Sequence, residues 1–386
     1  MSTQPSPGVR PVRSHESRSF LLGGERGYPH ELYPPSVNQA SVVRVDLSEP
    51  DGEVPSHKTA AIFTHPVVPT AGFYIVNPLV QLGLSTMTVQ TRFVGSDATL
   101  LMERCAQDVG TAIRFLEERG YERIILLGFS GGASLLCFYQ AQAEDFTMTH
   151  LPDGRPSLVT PEQLPPADKL VLFGHHLGRS QTLRNVLDAA IVDEADPLRR
   201  DPDLDVFDPR HGPPFSDEFV ARIRAAQAAR MERITSWARD RLATLEGMYG
   251  PNADEAFVVH RTNADPFMFA ETSDFGGDVD KIREVNEAGN GLGRFSSLRS
   301  WLSQWATDVS QANGPSDVAR TTIPVLSIRQ AGDHRAHPDY LRQWEDALGD
   351  RFTGHHEFDA THYMDPKGQA EMVTELAKLI YDFAMS

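Results

Sequence analysis

The stretch Arg123-Ile124-Ile125-Leu126-Leu127-Gly128-Phe129-Ser130-Gly131-Gly132 decides the fold, and an apolar run over 133–143 follows it at once. Four apolar residues bounded by a glycine predict a buried strand. The run after Gly132 predicts a helix that is apolar nearly all round and therefore buried. Strand and helix are joined by a turn too tight for side chains at its flanks, which is why glycine stands at 128, 131 and 132. Ser130 sits at the apex of that turn. Its hydroxyl is pushed out above the sheet, beside the unpaired N–H groups of a helix N-terminus, where negative charge is favoured.

Working outward, valine-rich or apolar segments at 41–47, 59–65, 85–93, 169–173 and 323–328 predict further strands, with a short last one near 355–358. Helical spacing over 98–119 puts Leu101, Cys105, Val109, Ala112 and Leu116 on one face, and Gly120 closes that helix. Strands alternating with helices predict an α/β chain with a doubly wound, mostly parallel sheet. About 150 residues separate the strands at 169–173 and 323–328, far more than a connection needs, so an inserted, mainly helical domain is expected there. The division is a proline-broken, irregular segment at 1–40, a core at 41–179 and 318–386, and an insertion at 180–317. Within the insertion a long helix starts at Asp217, with Ser216 as its N-cap. Pro266-Phe267-Met268-Phe269 forms an apolar cluster, and Trp301 and Trp305 mark a returning helix.

Composition narrows the function classes. The 386 residues carry 53 acidic against 36 basic side chains, a net charge of −17. An acidic chain without a basic patch excludes nucleic acid as a partner and disfavours anionic membranes. No apolar run approaches membrane-spanning length, and Phe20-Leu21-Leu22 is too short for a signal-peptide core, so a cytoplasmic location is expected. The two cysteines, Cys105 and Cys137, fall on apolar helix faces and read as core residues. The expected partner is a small-molecule substrate, with a homodimer left open.

A serine hydroxyl becomes a useful nucleophile only beside a base held by an acid. After Ser130 the chain supplies both, each just beyond a strand end: Asp333 after the strand at 323–328, and His362 after the one near 355–358. With Gly128-Phe129-Ser130-Gly131-Gly132, with Pro324-Val325-Leu326-Ser327-Ile328 leading to Gly332-Asp333, and with Asp359-Ala360-Thr361-His362, the chain resembles the α/β-hydrolase superfamily in its serine-hydrolase, esterase-like branch. The resemblance covers about 59–179 and 318–386, and the insertion stands where that family carries its cap. It implies Ser130 as nucleophile, His362 as general base and then acid, and Asp333 as orienter. It also implies an oxyanion hole from the N–H of Gly131 and one N–H after the strand at 59–65. There the family often has His-Gly, whereas this chain has His65-Pro66. Pro66 has no N–H, which points to Val67, with Val68 next in order. His65 and Phe129 beside the serine, and Phe267 and Phe269 in the insertion, are expected to face substrate. The implied activity is hydrolysis of a carboxylic ester or lactone of a bulky or hydrophobic molecule through an acyl-enzyme. A C–C hydrolase or an amidase would use the same three residues. A non-catalytic binder would need none of them.

Other residues invite weaker roles. Asp359 competes with Asp333 as the acid, but its closeness to His362 in sequence suits it to shaping the loop. His334 and His337 read as polar loop residues, and His175-His176 as residues at the site mouth. No histidine spacing suits a metal, and neither metal nor cofactor is expected. Asp201-Pro202-Asp203-Leu204-Asp205 lacks the glycine and glutamate of a calcium loop and reads as a turn. Gly289-Asn290-Gly291-Leu292-Gly293 follows no βαβ strand and does not suit a dinucleotide.

Overall fold

A computed structural model describes residues 17–25, 41–50, 54–333, 338–364 and 369–386. Its first half runs β1 (Ser17–Gly23), β2 (Val42–Ser48), β3 (Thr59–His65), α1 (Val76–Gln81), β4 (Ser85–Gln90), α2 (Met102–Glu118), β5 (Arg123–Phe129), α3 (Gly131–Glu144) and β6 (Lys169–Phe173). The insertion holds α4 (Arg179–Val186), α5 (Asp217–Tyr249), β7 (Ala256–Val258), α6 (Val279–Glu287), β8 (Phe295–Ser297), α7 (Leu298–Gln304) and α8 (Gly314–Val318). The chain then returns through β9 (Val325–Gln330), α9 (Pro338–Leu348), β10 (His356–Phe358) and α10 (Ala370–Met385).

Among the described residues the main sheet has eight strands, in the order β1-β2-β4-β3-β5-β6-β9-β10. β2 runs antiparallel to both its neighbours, and every pair from β4 onward is parallel. The chain leaves β3 toward one edge, to β4, and then crosses back through α2 to β5 on the other side of β3. That reversal opens a crevice at the carboxyl ends of β3 and β5, the place where open α/β sheets bind ligands. His65 closes β3 and Ser130 follows β5, so both lie at this crevice.

The continuous apolar runs of the central strands are explained by burial on both faces. In β5, Ile124 and Leu126 pack with α2 and α3, while Ile125, Leu127 and Phe129 join Phe63, Phe173, Leu376 and Ile380 on the opposite face. The period-two alternation thus divides one apolar strand between two cores.

The segment expected to be irregular at 1–40 contains a strand. β1 pairs with β2 from Ser17↔Ser48 to Gly23↔Val42, and Phe20 packs its ring 4.9 Å from that of Phe115. Flanking prolines hide so short an edge strand, because its stability comes from a partner 25 residues away rather than from its own pattern.

The insertion has its own two apolar clusters. One gathers Leu183, Ile234, Leu242, Trp301 and Trp305; the other gathers Phe207, Phe219, Met268, Phe269 and Ile282. Ser216 caps α5, accepting a hydrogen bond from the Phe219 N–H at 3.2 Å. α7 docks on the loop before α2. Met102 N–H donates to Ser303 Oγ (2.8 Å), Ser297 N–H to Ala98 O (2.7 Å), and Gln304 Nε2 to Asp97 O (2.8 Å). Asp97 also pairs with the buried Arg179 (2.9 Å), whose guanidinium lies 4.2 Å from the Trp305 ring. Cys105 and Cys137 are buried and free. Among the described residues no helix is long and apolar enough to cross a membrane.

Candidate active site

Ser130 has φ 53° and ψ −128°, a backbone conformation that costs a side-chain-bearing residue free energy and persists only where the surroundings enforce it. The surroundings are visible. The Ser130 N–H donates to Gly174 O after β6 (3.1 Å). A Cβ at Gly128 would stand 2.7 Å from Ala133 Cα, one at Gly132 would collide with the Thr64 carbonyl oxygen, and one at Gly131 would stand 3.0 Å from His65 Nε2. The glycines therefore let the turn press against α3 and against the end of β3.

Ser130, His362 and Asp333 come together in one hydrogen-bonded line. Ser130 Oγ lies 3.1 Å from His362 Nε2, and His362 Nδ1 lies 2.6 Å from Asp333 Oδ2. His362 is fully buried and Ser130 is only 7% exposed. The loops after β9 and β10 are stitched to each other. Ala331 N–H donates to Phe358 O and Gly332 N–H to Ala360 O (both 2.9 Å), and Gln330 Nε2 donates to His362 O (3.0 Å). These bonds set the Asp333–His362 distance. Gln330 carries no sequence signal for this role, since a glutamine at a strand end is common and its partner lies 32 residues away.

Three rings pack against the His362 imidazole, among them Tyr363 edge-on at 4.8 Å. Phe129 lies 4.8 Å from the imidazole and His176 stacks on it at 5.0 Å. Phe129, expected to face substrate, is 4% exposed and packs among Phe73, Phe173 and His362, so it supports the imidazole instead. Its place as the residue before Ser130 on a strand turns it toward the opposite core. His175 is buried edge-on to Trp344, with burial and nearby His355 pushing its pKa down to about 3. Asp359 is exposed, and the partner of His362 Nδ1 is Asp333. His334 and His337 lie outside the described residues. His176, Asp333 and His362 offer ligand atoms within 4.8 Å of one another. Both nitrogens of His362 are already engaged, however, by Ser130 and Asp333.

The side of the crevice facing β3 differs from expectation. The N–H of Val67 donates to His65 Nδ1 (3.2 Å), and the N–H of Val68 donates to the same atom (3.0 Å). Pro66 fixes the turn, so the next two N–H groups fall back on the ring of His65. The loop is pinned from its carbonyl side as well, by Thr91 Oγ1 on Pro66 O (2.6 Å) and Gly95 N–H on Val67 O (2.8 Å). The Val67 N–H, expected to face an oxyanion, is thus engaged by the His65 ring. Gly131 opens α3, and its N–H has no intrahelical acceptor.

Phe267 and Phe269 line a cleft of about 1270 Å³ with Arg184, Val220, Arg224 and Tyr340. Its lining comes from the insertion and α9 and does not include Ser130, Asp333 or His362. The insertion nevertheless reaches the acid loop: a Cβ at Gly332 would lie 3.6 Å from Thr272 O, three residues beyond Phe269.

No protein-family model matches the chain, and no curated protein matches it in sequence. Among solved structures the chain is similar to DcsB, solved with its substrate analogue, at 13% identity and a TM-score of 0.50, covering 96% of this chain and 100% of that one. It is similar to the esterase domain of a Rhodothermus marinus protein (11% identity, TM-score 0.45, 96% and 98% covered). It is also similar to an alpha/beta fold family hydrolase from Bacillus anthracis str. Sterne (10%, 0.42, 94% and 99%). At these identities the likeness is one of fold. The strand order, the single reversed strand β2 and the strand–turn–helix at Ser130 are those of an α/β-hydrolase fold, with a mainly helical insertion between β6 and β9.

Proposed function

We propose that the protein is a serine hydrolase that cleaves a carboxylic ester or lactone of a bulky or hydrophobic small molecule through an acyl-enzyme. The observation that carries this is the continuous line Ser130 Oγ–His362 Nε2–Asp333 Oδ2, at 3.1 and 2.6 Å, at the carboxyl end of a parallel sheet. Asp333 accepts a hydrogen bond from the Nδ1–H, which leaves the Nε2 lone pair aimed at the serine hydroxyl.

His362 Nε2 takes the Oγ proton as Ser130 Oγ bonds to the carbonyl carbon, and the carbonyl π pair moves onto oxygen. Collapse of that intermediate restores the carbonyl and expels the alkoxide, which takes the proton from Nε2. Water then attacks the acyl-Ser130 carbonyl by the same proton path and releases the acid. The Gly131 N–H, at the start of α3, would donate to the oxyanion. The insertion at 180–317 would act as the cap, and the large cleft beside Phe267 and Phe269 favours a bulky substrate. A panel of p-nitrophenyl esters of rising acyl length, with a lactone included, tests the reading. Turnover that disappears in Ser130→Ala supports it, and turnover that survives in Ser130→Ala refutes it.

A further inference from the structure

We infer that the second donor to the reacting carbonyl oxygen is the imidazole Nε2–H of His65, not a backbone N–H of the loop that follows it. This rests on the serine-hydrolase reading above and deepens it.

An acyl-transfer site needs donors aimed at the oxygen on which charge develops. Gly131 supplies one. The two backbone groups next in position, Val67 and Val68, both donate to His65 Nδ1, at 3.2 and 3.0 Å. An Nδ1 that accepts hydrogen bonds carries no proton, so the neutral ring must carry its proton on Nε2. That nitrogen has no hydrogen-bond partner among the described residues. It lies against the elbow, where a Cβ on Gly131 would be only 3.0 Å away. Glycine at 131 therefore does two things: it permits the turn, and it lets the His65 ring reach the N-terminus of α3.

His65 is also held in the protonation state the role requires. Burial, together with the positive charge of Arg179 and of a protonated His362, pushes its pKa down to about 3. It stays neutral while His362 cycles through its protonated form, so it does not compete for the serine proton. As Ser130 Oγ bonds to the carbonyl carbon and the π pair moves to oxygen, Nε2–H and the Gly131 N–H both donate to that oxygen. His65 keeps its proton throughout. Because its Nδ1 is fixed by a loop pinned at Pro66 O and Val67 O, the ring needs no reorganisation during the reaction.

Two substitutions separate this role from that of a loop cap. In His65→Asn the amide oxygen takes the place of Nδ1 and keeps the Val67 and Val68 N–H groups satisfied, but nothing reaches the position of Nε2. In His65→Gln the amide N–H reaches that position. With p-nitrophenyl butyrate, His65→Asn is expected to lose on the order of 10²–10³-fold in kcat with little change in KM. His65→Gln should recover part of the loss. Affinity for a trifluoromethyl ketone, whose adduct with Ser130 places an oxyanion at the same point, should fall in parallel with kcat/KM. Wild-type kcat in His65→Asn would overturn the inference and leave His65 as a loop cap. Equal losses in Asn and Gln, accompanied by lowered melting temperatures, would overturn it in favour of packing. In either case turnover and labelling of Ser130 in the wild-type chain would leave the serine-hydrolase reading standing. Absence of both in the folded wild-type chain would remove that reading and this inference together.

Discussion

Asp333 Oδ2 lies 2.6 Å from His362 Nδ1, and neither side chain is accessible to solvent. In this dry setting the carboxylate fixes one tautomer of the imidazole and, in the proposed reaction, would stabilise the imidazolium. Asp333→Asn keeps the shape but presents an amide that favours the wrong tautomer. Its kcat is expected to fall on the order of 10⁴-fold with the fold retained. Asp359→Asn, at an exposed position, should stay near the wild-type rate. Steady-state kinetics of the two variants, with circular dichroism as the folding control, give the comparison, and the reverse ranking would move the acid to 359.

The three elbow glycines are expected to separate by what their missing Cβ would touch. At Gly132 it would strike the Thr64 carbonyl oxygen, and at Gly128 it would lie 2.7 Å from Ala133 Cα. Backbone cannot yield cheaply, so Gly132→Ala and Gly128→Ala should lose about 1–3 kcal/mol of stability in urea titrations. At Gly131 the neighbour is the His65 ring, at 3.0 Å. Gly131→Ala should cost less stability and more kcat, because a side chain can shift and His65 would be displaced from the elbow.

The cap cleft should set substrate preference without touching the chemistry. Phe267 and Phe269 line it, and the residues of the hydrogen-bonded line do not. Phe267→Ala is expected to shift the preferred acyl length, through the roughly 1–3 kcal/mol that one methylene is worth in an apolar pocket. Labelling of Ser130 by a small fluorophosphonate should proceed at the wild-type rate. Parallel loss of labelling and of large-ester turnover would mean that the cluster supports the core instead.

A buried carboxyl outside the hydrogen-bonded line should shape stability against pH. Asp317, 4% exposed, accepts a hydrogen bond from the Asn313 N–H (2.8 Å), yet burial pushes its pKa from 3.8 up to about 8. Between those values the folded chain holds a proton that the unfolded chain has released, so stability is lost as pH rises through the window. Asp317→Asn removes this dependence. The melting temperature of the variant relative to wild type should therefore be more favourable at pH 8 than at pH 4. A difference that is the same at both pH values would show that Asp317 is ionised in the folded chain.

Much of this architecture was legible in the residues. β3, β5 and β6 coincide closely with their apolar runs, and Ser130, Asp333 and His362 follow strand ends, because buried parallel strands and the loops beyond them have sharp compositional edges. β1 was not legible, because an edge strand depends on its partner. The engagement of Val67 was not legible either. It depends on how a proline turn folds two N–H groups onto the preceding ring, a relationship in three dimensions that no spacing encodes. Phe129 could be placed beside the serine, but the side of the sheet it faces follows from pleat and pairing. Phe267 and Phe269 read from the sequence as an apolar cluster, and it is the packing of α5 and α9 around them that makes a cleft.

In the proposed reaction Ser130 is the nucleophile. The most direct measurement is mass-spectrometric mapping of the chain after exposure to a fluorophosphonate, alongside p-nitrophenyl ester turnover. Ser130 should be the single modified residue, activity should fall in proportion to its occupancy, and Ser130→Ala should fold normally while showing neither labelling nor turnover. Modification at another serine, or ester hydrolysis undiminished in Ser130→Ala, would contradict the account.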